Sequence, residues 1–175
     1  MKTDYRLIVV LAVNAILYVF LSQVNGLLAP LALHLSIPVV YLVFSALYLK
    51  MSHACAVAVL SGLTIDAALP VAFGCHSLLF VLAYALIISI RLRLRRENAY
   101  HVTFLSLGAN FFIFAGLTLL TGFQGAPMGS SLLRLLIDLI FSQLVLAVVA
   151  ASVVAAQRRI LQIFQIDIAS ELQTL

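Results

Sequence analysis

Charged residues are scarce in this sequence. Only 9% of its 175 residues are Asp, Glu, Lys or Arg, against about 25% in an average soluble protein. Hydrophobic residues make up 65%, and the mean hydropathy is +1.20. A soluble domain of this composition would aggregate, so we expect an all-α integral membrane protein. At roughly 20 residues per span, the length leaves no room for a separate soluble domain, and residues 1–175 are predicted to form a single transmembrane domain.

Cysteine is also scarce, with only Cys55 and Cys75 present. We predict that they lie at opposite ends of two neighbouring spans, separated by roughly the 30 Å of the hydrocarbon core, which is too far for a disulfide. His53 and Cys55 have a spacing found in metal sites, but no second pair of ligands accompanies them. We therefore expect neither a metal nor a cofactor.

Six apolar runs predict a bundle of about six transmembrane helices. The first run begins like a secretory signal but is followed by no small-residue cleavage site, so it is predicted to remain. Pro30, His34 and Pro38 interrupt the second run, and residues 25–37 could form a broken or an interfacial helix. The tail, 157–175, is predicted to be amphipathic. The predicted spans are 7–24, 31–49, 54–73, 75–90, 100–121 and 132–156.

The basic residues predict the orientation of the bundle, because positive charge stays preferentially in cytoplasmic loops. With six spans and both termini in the cytoplasm, nine of the ten basic residues lie inside, and only Arg134 lies at the outer end. Contact with anionic lipid accounts for the net charge of +4 without a nucleic-acid partner. The densest topogenic signal is the loop that contains Arg91, Arg93, Arg95 and Arg96.

Small residues recur every four positions in the third span. Ala54, Ala58 and Gly62 are followed at the same spacing by Asp66, so all four lie on one stripe of a helix. Small side chains let another helix approach closely within lipid. We predict that this stripe, together with Gly74, packs inside the bundle or meets a partner helix.

Asp66 is predicted to lie in the outer third of the bilayer, where an unpaired carboxylate is costly. Arg134 is predicted at a similar depth in the sixth span. We therefore expect a salt bridge between Asp66 and Arg134, a polar lock in which Asp138 and His76 act as competitors or relays. Alternatively, Asp66 is protonated and only hydrogen-bonded.

Residue patterns for catalysis are missing. No serine stands in a glycine-framed turn of the kind that a membrane serine protease needs. Asp66 and Asp138 could be a pair of carboxylates, but Asp138 has a simpler partner in Arg134, one turn earlier. We predict no catalytic residues and no enzymatic activity.

Residues 62–78 read Gly-Leu-x-x-Asp, then seven residues, then Gly-x-His-Ser-Leu. This stretch resembles the signature of the MreD family of rod-shape-determining membrane proteins. The likeness extends to chain length, six spans and a basic loop after the fourth span.

The resemblance implies a non-enzymatic component of the bacterial cell-elongation complex, a multi-pass protein of the inner membrane that helps maintain cell shape and organise peptidoglycan synthesis. The implied partner is the bitopic protein MreC and, indirectly, the actin-like protein MreB, RodA and its transpeptidase. The alternative is a substrate-binding S component of an energy-coupling-factor vitamin transporter, a class with a related fold. Such a subunit docks through Ala-x-x-x-Ala on its first helix, whereas Ala12 and Ala15 are three apart.

Overall fold

A computed structural model describes residues 5–69, 72–91, 99–121 and 128–163. All regular structure in these ranges is helical, as the composition predicts, and no strand occurs in them. A single 3-10 turn, Ala29–Leu31, follows the first helix. The six α-helices are α1 (Arg6–Leu28), α2 (Val40–Tyr48), α3 (Met51–Ala68), α4 (Cys75–Arg91), α5 (Ala99–Thr121) and α6 (Met128–Ile163).

The short helix α2 lies at the centre of the bundle. All nine of its residues are buried, and it contacts each of the five longer helices. Around it, the pair α3 and α4 has the most extensive contact, followed by α5 with α6 and then α4 with α5, while α1 contacts α3 and α6. The apolar core is therefore built around a helix that the other helices enclose.

Four helices are long and apolar enough to cross a membrane: Arg6–Leu31, Met51–Ala68, Tyr100–Leu120 and Leu132–Ile163. The apolar part of α4, Cys75–Ile90, is shorter. Large aliphatic side chains point outward along α1 and α6, as lipid-facing residues do. The four helices thus have the length and composition of membrane-spanning helices.

The second predicted span, 31–49, is not one continuous helix. Residues 33–37 have no regular structure, and only residues 40–48 form α2. Pro38 explains the late start, because proline restricts the preceding residue to extended conformations and fits a first helical turn. Ala32 turns the chain with a left-handed φ of 56°. Segment 25–37 therefore contains the end of α1, a turn and residues 33–37, which form no helix or β-strand.

Two other predicted boundaries shift. α3 ends at Ala68 and not at residue 73. α6 continues through the predicted tail boundary to Ile163, with Gln157 and Leu161 buried against the bundle, because the polar residues there are good helix formers. The rest of the tail and Arg93, Arg95 and Arg96 of the basic loop lie outside the described residues.

Candidate functional site

Buried polar side chains lie at several depths among the described residues of the bundle, and Asp66 and His76 lie at one end of it. We call this the hairpin end, because α3 ends and α4 begins there. Hydrocarbon cannot solvate polar groups, so polar side chains of a membrane bundle turn inward and find partners. The buried polar residues are Asn14, Ser45, Ser61, Asp66, His76, Ser106, Asn110, Asp138, Ser142 and Gln157.

Asp66, in the last turn of α3, caps the beginning of α4. Its Oδ1 accepts hydrogen bonds from the backbone N–H of His76 at 3.0 Å and from the His76 ring Nδ1 at 2.7 Å. Its Oδ2 accepts from the backbone N–H of Gly74 at 3.0 Å and of Ser77 at 3.4 Å. The first N–H groups of a helix have no partner within the helix, and a carboxylate there satisfies them and complements the helix dipole.

Two glycines make this arrangement possible. A Cβ atom on Gly62 would overlap the backbone of Ser77, so α3 and α4 can approach this closely only at a glycine. Gly74 has a φ of 98°, in the region that glycine adopts without strain. Residues 62–69 and 72–78 thus pack as a helical hairpin, which we call the hairpin lock, built from Gly62, Asp66, Gly74 and His76.

The predicted salt bridge between Asp66 and Arg134 is wrong. In the part of the chain that the structure describes, the side chain that contacts Asp66 is His76, and both carboxylate oxygens accept hydrogen bonds from Gly74 and from the first turn of α4. The side chain of Arg134 is exposed, and the principal contacts of α6 are with α5, α2 and α1. The predicted polar lock therefore contains Asp66 and His76 but not Arg134.

The small-residue stripe of α3 packs inside the bundle. Ala54 and Ala58 have no exposed surface, and Gly62 is buried against α4. Of the two predicted alternatives, internal packing and a partner face, the structure has internal packing.

The extended segment 33–37 has its own polar support, which the sequence did not reveal. Asn25, near the end of α1, accepts a hydrogen bond from the Leu35 backbone N–H at 2.8 Å and donates to the Leu35 carbonyl at 3.0 Å. One side-chain amide thus replaces both backbone partners that a helix or a sheet would supply to Leu35.

Helices α5 and α6 supply the remaining support. Asp138 accepts from the His34 backbone N–H, and Ser142 accepts from the Ser36 backbone N–H, both at 2.9 Å. Asn110 donates to the Ser36 carbonyl at 3.2 Å. Asp138, which was predicted to be part of the polar lock, instead holds this segment. Irregular backbone at membrane depth is tolerated when protein satisfies it in this way.

Asn14 joins four helices deeper in the bundle. Its Nδ2 donates to the Tyr41 carbonyl at 2.8 Å and to Ser61 Oγ at 2.9 Å, while its Oδ1 accepts from Gln157 Nε2 at 3.3 Å. Asparagine within an apolar run was the available sequence signal, since a buried amide needs several partners.

A cavity of about 170 Å³ lies between α1, the extended segment, α2 and the hairpin lock. Tyr18, His34, Tyr41 and His76 contribute polar groups to it, and the remaining walls are mostly apolar. Within the described ranges, no group of three or more His, Cys, Asp or Glu side chains could hold a metal ion.

Comparisons with known proteins found no matching family model, no matching curated protein and no matching solved structure.

Proposed function

We propose that this chain is a non-enzymatic scaffold of the bacterial cell-elongation complex, embedded in the inner membrane and associated with a bitopic partner of the MreC type. The observation that carries the proposal is the geometry of the hairpin lock. The glycines, the aspartate and the histidine through which this stretch resembles the MreD signature each meet a separate demand of the hairpin lock. The resemblance therefore rests on positions with defined structural roles.

The proposed topology has six crossings with both termini in the cytoplasm. Lys50 lies between α2 and α3, Arg6 begins α1, and Arg158 and Arg159 lie near the end of α6. Six crossings place all of these on one side, in agreement with the positive-inside rule. The second crossing would consist of residues 33–37, which reach at most about 17 Å when extended, and of the turn 38–39 with α2, about 16 Å long at the helical rise. Together they are comparable to the roughly 30 Å of hydrocarbon.

The structural roles of the two buried aspartates support a non-enzymatic function. Asp66 accepts from three donors of α4 and from the Gly74 N–H just before it, and Asp138 accepts from the backbone of His34. An aspartyl dyad requires two carboxylates that share a proton, and these two are committed to different partners. The protein would act by position, holding its partner and, through it, the peptidoglycan synthase in an active arrangement.

Depletion of the protein in its native host tests the proposal. We expect rod-shaped cells to become round, and an epitope-tagged copy to restore rods and to copurify the bitopic partner. The matched variants for complementation are Asp66→Ala, which we expect to fail, and Arg134→Gln, which we expect to succeed. Cells that stay rod-shaped after depletion would overturn the proposal. If such cells instead required an added vitamin, the transporter alternative would replace it.

A further inference from the structure

We propose that the cavity at the hairpin end is a binding site for one small, uncharged ring molecule that carries hydrogen-bonding groups. This inference goes beyond the scaffold function, since a scaffold needs no small ligand. It rests on the size of the cavity, on two polar atoms there that have no hydrogen-bond partner among the described residues, and on the absence of Lys, Arg, Asp and Glu from its described lining.

The size of the cavity limits the ligand to a single ring. An engineered apolar cavity of about 150 Å³ holds one benzene molecule. The cavity here, at about 170 Å³, accommodates one six-membered ring with one or two small substituents.

Two nearly buried side chains bring unpartnered polar atoms to the cavity. Tyr41 is 6% exposed and His76 is 4% exposed, and both line the cavity. Neither the Tyr41 hydroxyl nor His76 Nε2 forms a hydrogen bond with any residue that the structure describes. Neither atom is one of the fully buried side-chain atoms without a partner, so both face accessible space and are available to a ligand.

The hairpin lock determines what His76 offers. Both oxygens of Asp66 accept hydrogen bonds from backbone N–H groups, and Oδ1 also binds the His76 ring through Nδ1. A ring that donates through Nδ1 presents Nε2 as an acceptor. The Tyr41 hydroxyl can donate or accept. The site therefore favours a ligand with at least one donor and one acceptor.

The walls favour a neutral ligand. None of the described residues that line the cavity is Lys, Arg, Asp or Glu, and one side is apolar, with Leu21, Ile37, Ile65 and Leu69. An ion without a counter-charge in such surroundings pays a large desolvation penalty. The lining from Tyr18 to Asn25 in α1 and from Ile65 to Leu69 in α3 places the cavity in the half of the bundle at the hairpin end.

Thermal unfolding of the purified full chain in detergent tests this proposal, with three probes that share a six-membered aromatic ring. Nicotinamide is neutral and carries a donor and acceptors, benzene lacks polar groups, and benzoate is charged. A ligand that binds only the folded state raises the Tm in a concentration-dependent manner. We expect a saturable increase of a few degrees with nicotinamide and a markedly smaller effect with benzene and benzoate.

Two matched tyrosine variants locate the site. Tyr41→Phe removes only the hydroxyl in the cavity and should weaken nicotinamide binding about 3- to 10-fold, the effect of one hydrogen bond. Tyr100→Phe, on an exposed part of α5, should leave the affinity unchanged. Equilibrium dialysis with labelled nicotinamide measures the affinity even where a variant has a lower Tm.

Three outcomes would overturn the proposal: no saturable nicotinamide binding, equal affinity in the wild type and in Tyr41→Phe, or equally tight binding of benzoate. None of them bears on the scaffold function, which the morphology of depleted cells tests separately.

Discussion

The hairpin lock and segment 33–37 satisfy their backbone groups in different ways. Both contain backbone N–H groups that no regular structure satisfies. In the hairpin lock, one carboxylate eight to eleven residues away accepts hydrogen bonds from three of them. In segment 33–37, the accepting side chains lie up to 106 residues away. The first solution is local and can be read from a short motif, whereas the second exists only after the bundle has assembled.

The largest loss of stability is expected for Asp66, because this one side chain accepts four hydrogen bonds. Asp66→Ala leaves the N–H groups of Gly74, His76 and Ser77 and the ring of His76 without their acceptor. We expect a loss of about 3–5 kcal/mol in the free energy of unfolding, as for removal of one partner of a buried pair, measured by reversible unfolding in detergent. Arg134→Gln is the control and should change stability by less than about 0.5 kcal/mol. Equal effects of the two substitutions would contradict the hairpin lock.

A second substitution separates α3 from α4 without removing a hydrogen-bonding group. Gly62→Ala places a methyl group against the backbone of Ser77, and we expect a loss of about 1–3 kcal/mol from overpacking. Gly108→Ala is the matched control, because its new Cβ meets no neighbouring atom within 4 Å. It should be neutral or stabilise α5 by up to about 1 kcal/mol. Unfolding midpoints of the two variants, compared at equal detergent concentration, check this prediction.

The hydrogen-bond partners of segment 33–37 lie on several helices, so each of them should matter less than Asp66. Asp138→Ala leaves the N–H of His34 without its acceptor and should lower the free energy of unfolding by about 1–3 kcal/mol. The control is Arg134→Ala, one turn away on the same helix and exposed. Hydrogen exchange should show faster exchange at residues 34–36 in Asp138→Ala, with the amides of Gly74 to Ser77 unchanged. Faster exchange at both places would show that the two regions are not independent.

The smallest loss of stability is expected from a substitution in the turn of the hairpin lock. Gly74→Ala requires an alanine in left-handed backbone, which costs about 1–2 kcal/mol. Gly26→Ala, in a helix and with open space around it, serves as control and should not destabilise the protein. Thermal unfolding of both variants measures the difference. A Gly74→Ala protein as stable as the wild type would show that the turn can adopt another conformation.

The contrast between the two regions also explains what could be predicted from the sequence. Hydropathy alone predicts the all-helical membrane class, and the four-residue spacing of Ala54, Ala58 and Gly62 identifies a face that is in fact buried. The motif pointed to Asp66, His76, Gly62 and Gly74 together, because their contacts are close in sequence.

The prediction that Arg134 pairs with Asp66 is wrong, and the reason is physical. Matching charges by depth in the bilayer favours Arg134, but it ignores the uncapped N–H groups at the start of α4, ten residues away. Pro30, His34 and Pro38 predict a break within residues 25–37, but hydropathy does not distinguish an apolar helix from an apolar extended segment, so the sequence does not predict the conformation of residues 33–37. The anchors of this segment, Asp138 and Ser142, lie more than a hundred residues from their partners, and no spacing rule within a single sequence links them.

A pair of double-mutant cycles tests most directly the claim that Asp66 locks α3 to α4. One cycle combines Asp66→Asn with His76→Gln, and the other combines Asp66→Asn with Arg134→Gln, each measured as the free energy of unfolding in detergent. Residues in one hydrogen-bonded network show interaction energies of about 0.5–3 kcal/mol, and distant residues add within about 0.5 kcal/mol. The hairpin lock predicts coupling in the first cycle and additivity in the second. Coupling between Asp66 and Arg134, with additivity between Asp66 and His76, would contradict it.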